Sequence, residues 1–147
     1  MMKRFSIIMM CVATMTLCLV SCGSASSLTS SNPAMDNGKS AANALVALYN
    51  SYKSNGSISL TNPTDLSNSL ILATQYSQMR ANKDNTDYMK SFASGMVAAG
   101  SGLITSDNVN SIITKMNSVT GLNVNATNIA NNVATVSSIV QLVKMLK

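Results

Sequence analysis

Apolar residues recur every three or four positions in five separate stretches of this chain, a spacing that commits most of its length to amphipathic helices. The first stretch carries Ala41, Leu45, Leu48, Tyr49 and Tyr52 and meets a stop signal at Asn55-Gly56. The second opens on Asn62-Pro63-Thr64-Asp65, which supplies an N-cap, a proline at N1 and a carboxylate at N3. Its apolar face is Leu66, Leu70, Ala73 and Tyr76, widened by Ile71 and Leu72. The third runs from Thr86 to Ala99 with Tyr88, Phe92, Met96 and Ala99 on one face, and Gly95 allows a close helix approach. The fourth starts near Thr105-Ser106-Asp107, presents Val109, Ile112, Ile113, Met116 and Val119, and stops at Gly121. The fifth starts near Asn125 and carries Ile129, Val133, Val136, Val140 and Val143, with Leu146 on an adjoining face.

The fifth stretch is rich in valine, which favours strand locally, but its spacing is helical. Ile58-Ser59-Leu60 and Leu103-Ile104 alternate only weakly, too little for a sheet. The expected fold is all-α, a compact bundle of about five helices joined by short loops.

Two stretches read alike. Asp65 to Ile71 and Asp107 to Ile113 both match Asp-x-x-Asn-Ser-(Leu/Ile)-Ile, 42 residues apart. A duplication would make the bundle two αα-hairpins plus a C-terminal helix. The density of Asn and Ser offers coincidence as the competing account.

The first residues have a different character. Lys3-Arg4 precede an apolar run from Phe5 to Val20, followed by small and polar Gly23-Ser24-Ala25-Ser26-Ser27. A basic start, a short apolar region and a small-residue cleavage site make a secretory signal. The run is shorter than the ~20 residues a spanning helix needs.

The end of that run, Leu19-Val20-Ser21-Cys22, resembles the lipobox of bacterial lipoproteins. The resemblance covers residues 1 to 22, and it implies cleavage between Ser21 and Cys22. It further implies a diacylglycerol on the Cys22 sulfur and acylation of the new N-terminus. A plain signal with an incidental cysteine is the competing account. The rest of the chain resembles small helical lipoproteins. Some lineages mark surface export with acids after the cysteine, and some families mark inner-membrane retention with aspartate at +2. Gly23-Ser24 shows neither, which favours the outer membrane, facing the periplasm.

On this reading residues 1–21 are a cleaved signal, 22–37 a flexible tether rich in Ser, Ala and Asn, and 38–147 a single helical domain. The mature 126 residues keep one cysteine, so no disulfide forms and stability rests on a packed core. Loss of Lys3 and Arg4 leaves eight basic side chains against five aspartates, a net charge of +3. Those charges are scattered, with almost no aromatic interleaving, which argues against nucleic acid as a partner.

The absences narrow the chemistry. The chain has no His, Glu or Trp, so neither general acid–base catalysis nor a zinc site finds its usual residues. No cofactor is expected. Ser51, Lys53, Asn55, Gly56 and Asn62 fall at the spacing of a calcium loop but bring no carboxylate, so they read as a helix-ending turn. The glycine-rich run Gly95 to Gly102 follows a helix and lacks the lysine of a phosphate loop.

Asn55-Gly-Ser57 and Asn125-Ala-Thr127 match the glycosylation pattern, and neither is expected to be used in a bacterial lipoprotein. Tyr49, Tyr52, Tyr76 and Tyr88 can line a groove or complete the core with hydroxyls at the surface. The methionines (Met35, Met79, Met89, Met96, Met116, Met145) can form an adaptable surface, although Met96 and Met116 fit core stripes.

The expected function is a membrane-anchored envelope lipoprotein, non-enzymatic, binding an envelope protein or another ligand. The alternatives are a carrier or sensor enclosing an apolar ligand and, third, a hydrolase using Ser with Lys or Tyr.

Overall fold

The computed structural model describes residues 32–122 and 133–146. Among these residues the chain forms five helices and no strand. They are α1 (Pro33–Asn55), α2 (Pro63–Ala81), α3 (Thr86–Ala99), α4 (Val109–Ser118) and α5 (Val133–Val143). The all-α bundle of about five helices is therefore the architecture.

Helix α1 lies at the centre, packing against α2, α3 and α5, while α4 bridges α3 and α5. Its position explains its composition. Ala41, Ala42, Ala44, Leu45 and Leu48 are all buried, so three small residues let neighbours close in around two leucines.

The helix starts earlier than the tether boundary at residue 37 allows. Asn32 is the N-cap, its Oδ1 accepting from the Met35 N–H at 3.3 Å, and Pro33 begins the first turn. Residues 33–37 are thus helix, and Ala34 is buried. This is the Asn-Pro start chemistry already legible at Asn62-Pro63. Gly38 concealed it, because a glycine inside a helix costs about 1 kcal/mol relative to alanine.

Gly38 has its reason in the α1–α3 crossing. A Cβ on Gly38 would collide with the Phe92 carbonyl, and one on Gly95 with the Met35 carbonyl. The two glycines bring helix backbones into direct contact. The Asn32 side chain donates to the Ser91 hydroxyl at 3.1 Å, and that of Asn37 to the Tyr88 hydroxyl at 2.9 Å. The first turns of α1 and α3 are thereby pinned together.

In α2 the buried face is rotated from the one that periodicity suggests. Asp65, Ser69, Leu72, Ala73, Tyr76 and Met79 are buried, whereas Leu66 and Leu70 are half-buried and Ile71 is 40% exposed. The cause is polar. The Asp65 carboxylate turns inward to accept the Ser59 N–H at 3.0 Å, and the Ser69 hydroxyl donates to the Asp65 carbonyl at 2.6 Å. Paired in this way, both groups tolerate burial.

Further along α2, Tyr76 is fully buried. Its hydroxyl donates to the Val119 carbonyl at 2.9 Å and lies 3.0 Å from the Arg80 guanidinium, which also sits over the ring. The turn after α4 is thus stitched to α2.

Helix α3 spans the residues its periodicity predicts, capped by Asn85, whose Oδ1 accepts the Tyr88 N–H at 3.0 Å. Helix α4 begins a few residues later than Thr105. Asn108 first closes a turn, accepting from the Thr105 N–H at 2.8 Å and donating to the Leu103 carbonyl at 2.9 Å. Val109, Ile112, Ile113, Met116 and Val119 are buried as expected, and Ile58 and Ile104 enter the core from loops.

The expected start of the fifth helix at Asn125, and Ile129, lie outside the described residues. Where α5 is described, its inward face is Thr135, Ser138, Ile139, Leu142 and Val143, with Leu146 just beyond. Val133, expected inside, is 82% exposed. Small polar residues face inward because Gly121 packs on this helix. A Cβ there would strike the Ala134 carbonyl, and the Thr135 hydroxyl donates to the Gly121 carbonyl at 2.7 Å.

Candidate functional site

Ser21 and Cys22, the expected cleavage and lipid-attachment residues, lie outside the described residues. The glycosylation pair Asn125 and Thr127 does too.

The calcium-like spacing around Gly56 resolves into a helix-ending turn. Asn55 is the last residue of α1, and Gly56 follows at φ 72°, its N–H donating to the Tyr52 carbonyl at 2.8 Å. Asn62 spends its side-chain oxygen on the Thr64 and Asp65 N–H groups at the start of α2. The run from Gly95 to Gly102 likewise divides into structural roles. Gly95 makes the α1 crossing, Gly100 packs beneath Ile104, and Gly102 turns the chain at φ 77°.

The two similar stretches are not structurally equivalent. Asp65 is buried at the third position of α2, whereas Asp107 is exposed and precedes α4. Ser69 is buried and Ser111 exposed; Leu70 and Ile71 are partly exposed, and Ile112 and Ile113 buried. The matching letters therefore sit on opposite faces of their helices. A shared Asp at N3 with apolar pairs inward does not describe both.

Tyrosines and methionines mostly serve packing. Tyr76 is wholly internal, hydroxyl included, which differs from the expected surface-reaching hydroxyl. Tyr49, Tyr52 and Tyr88 pack half-buried against the core. Met96 and Met116 are buried as expected. Met79 joins them, although its place in a polar-looking turn gave no such signal.

Charged groups do not converge. Among the described residues no three metal-ligating side chains cluster, and no serine hydroxyl hydrogen-bonds a lysine amine or tyrosine hydroxyl. Two ion pairs among the described residues, Lys39–Asp36 at 3.6 Å and Lys83–Asp84 at 2.9 Å, are exposed and local. Such pairs contribute little to stability.

A groove of about 730 Å3 lies between α3 and α4. Met89, Ala93 and Val97 form one wall, and Val109 and Ile113 the other. Lys90, Ser94 and Asn110 are exposed at its rim. It lies on the side of α3 facing away from α1, because Phe92, Gly95 and Met96 occupy the opposite face.

The groove offers apolar contact, a few hydroxyl and amide groups, and one cation. No carboxylate lines it. That chemistry suits binding by burial of apolar surface and provides no acid–base pair for turnover. The expected face of α3 was Tyr88, Phe92, Met96 and Ala99, and its groove wall was missed, although Met89, Ala93 and Val97 recur at the same four-residue spacing and carried a signal for it. The partner wall carried none, because it requires knowing which helix lies beside it.

No family model, curated protein or solved structure matches the chain.

Proposed function

We propose that this chain is the precursor of an envelope lipoprotein whose helical domain is a non-enzymatic binding module. The signal of residues 1–21 is removed, and Cys22 takes the lipid. The domain works at the outer membrane, facing the periplasm. The observation that carries this reading is the order of a basic start, a short apolar run and Leu19-Val20-Ser21-Cys22.

Two structural features support it. The first is that the helical domain begins at Asn32, so only the nine residues 23–31 separate it from the lipidated cysteine. The stretch from Cys22 to Asn32 reaches at most ~35 Å when fully extended, so the domain stays close to the membrane and its effective concentration near a membrane-bound partner rises. Two or three acyl chains, at ~0.8 kcal/mol per buried methylene, hold such an anchor without a spanning helix. No described helix is long and apolar enough to cross a membrane.

The second feature is the filled core. Tyr76, Phe92, Leu45, Leu72 and Met96 are fully buried around α1, which favours contact at the surface over enclosure of an apolar ligand. The α3–α4 groove is the surface assigned to the partner.

The test is made in cells producing the full chain. The native product should fractionate with outer membranes, and its mass should equal residues 22–147 plus acyl groups. Cys22→Ala should abolish lipid labelling. A water-soluble product with an unmodified Cys22 sulfur overturns the reading. Ser94→Arg, at the exposed rim of the groove, should remove cross-linked partners while leaving anchoring and thermal unfolding unchanged. Retention of every cross-link would exclude the groove as the binding face.

A further inference from the structure

The chain contains two Asn-Gly pairs within one helix, and the fold places them in opposite situations. Asn37-Gly38 lies inside α1, where Gly38 is pressed against the Phe92 carbonyl and the Asn37 carboxamide donates to the Tyr88 hydroxyl at 2.9 Å. Asn55-Gly56 lies at the exposed end of the same helix. Asn55 is exposed, and a Cβ on Gly56 would meet nothing within 4 Å. Gly56 stands at φ 72°, a backbone state that glycine adopts freely.

We propose that Asn55 is a site of spontaneous deamidation in the folded protein and that Asn37 is protected from the same reaction. The nucleophile is the Gly56 backbone nitrogen after it loses its proton. It forms a bond to Asn55 Cγ, the bond from Cγ to Nδ2 breaks, and the amide leaves as ammonia carrying a proton. Water then opens the five-membered imide at either carbonyl, giving aspartate or isoaspartate. One water is consumed and one ammonia released, with no oxidant, reductant or enzyme.

Reaction requires the Gly56 nitrogen to leave its hydrogen bond to the Tyr52 carbonyl and swing toward the side chain. At Asn55 this means fraying one terminal turn, and the free energy of such opening is near the bottom of a protein's range. The Asn55 carboxamide is otherwise held only by a 3.3 Å bond to the Ser51 hydroxyl, itself at the surface. At Asn37 the same movement requires peeling the first turns of α1 off α3, breaking the Asn32–Ser91 and Asn37–Tyr88 hydrogen bonds and opening the Gly38 crossing. The product places a negative charge at the C-terminal end of α1, where the helix dipole disfavours it. In the isoaspartate form the backbone is also one carbon longer.

The experiment incubates the purified full-length protein in heavy-oxygen water at neutral to mildly alkaline pH, with peptide mass spectrometry over time. A parallel sample is held unfolded in denaturant. In the native protein the Asn55 peptide should incorporate heavy oxygen at least ~100-fold faster than the Asn37 peptide, reflecting the gap between fraying one terminal turn and opening the α1–α3 contact. In denaturant the two rates should converge to within ~3-fold, because local sequence alone then governs both. Equal native rates, faster reaction at Asn37, or a tenfold or greater difference that persists in the unfolded chain would each overturn the proposal.

Discussion

Asp65 and Asp107 open the two seven-residue stretches that read alike, and their environments separate them. Asp65 is buried and its Oδ2 accepts the Ser59 N–H at 3.0 Å, so this side chain fixes the loop from α1 onto the start of α2. Asp107 is exposed ahead of α4. Replacing Asp65 with alanine leaves the Ser59 N–H without its partner and should destabilise the protein by about 1–3 kcal/mol. Asp107→Ala should stay within about 0.5 kcal/mol of the parent, as surface substitutions usually do. Asp65→Asn keeps an acceptor and should recover part of the loss. Denaturant midpoints at constant slope measure all three, and equal losses at Asp65 and Asp107 would restore the case for equivalent repeats. The placement of Asp65 at the third helical position was legible from Asn62-Pro63. Its inward turn was not, because the donor is the Ser59 backbone N–H six residues earlier, whose position depends on the loop.

Helix existence was legible throughout the described residues, whereas facing was legible only where every inward residue is apolar. In α4 the stripe of Val109, Ile112, Ile113 and Met116 is both the sequence pattern and the buried face. In α2 and α5 small polar residues take inward positions, because a hydroxyl or carboxylate reaches a nearby backbone group. Hydrophobic periodicity carries no record of such bonds, so Leu70 and Val133 were expected inside and lie further out. Glycine poses the same difficulty at the α1–α3 crossing. Gly95 sat within a clear stripe and could be read as a contact, while Gly38 shortened the apparent first helix. Propensity alone says that Gly→Ala at either position stabilises a helix by about 1 kcal/mol. The crossing reverses that sign, since the new methyl would overlap the Phe92 or Met35 carbonyl. Gly38→Ala and Gly95→Ala should each destabilise by about 1–3 kcal/mol, the usual range for overpacking. A thermal midpoint raised by either substitution would show that the helices do not touch at these backbones.

For the molecule as a whole, the question is where the folded unit begins. Among the described residues the core runs from Ala41 to Leu146. The six residues from Asn32 to Asn37, counted as tether by composition, contribute the α1 cap, the buried Ala34, and hydrogen bonds to Ser91 and Tyr88 on α3. Their Asn and Pro content looks like a linker only until Pro33 is placed at the first helical position. A chain starting at Asn32 keeps the cap and all of these contacts and should unfold at the same denaturant midpoint as one starting at Cys22. A chain starting at Gly38 should lose about 2–4 kcal/mol, from roughly 1 kcal/mol for the cap and up to about 1 for each lost hydrogen bond, with the buried alanine adding to these. Its first turn would also lack the Met35 carbonyl against which Gly95 packs, so the deficit should be shared by the α1–α3 contact. Hydrogen exchange at the start of α3 reads this directly. Faster exchange near Tyr88 and Ser91 in the shorter chain, with α4 unchanged, is the expected pattern. Indistinguishable midpoints for the chains starting at residues 32 and 38 would return the segment 33–37 to the tether and lengthen the reach of the domain from its anchor.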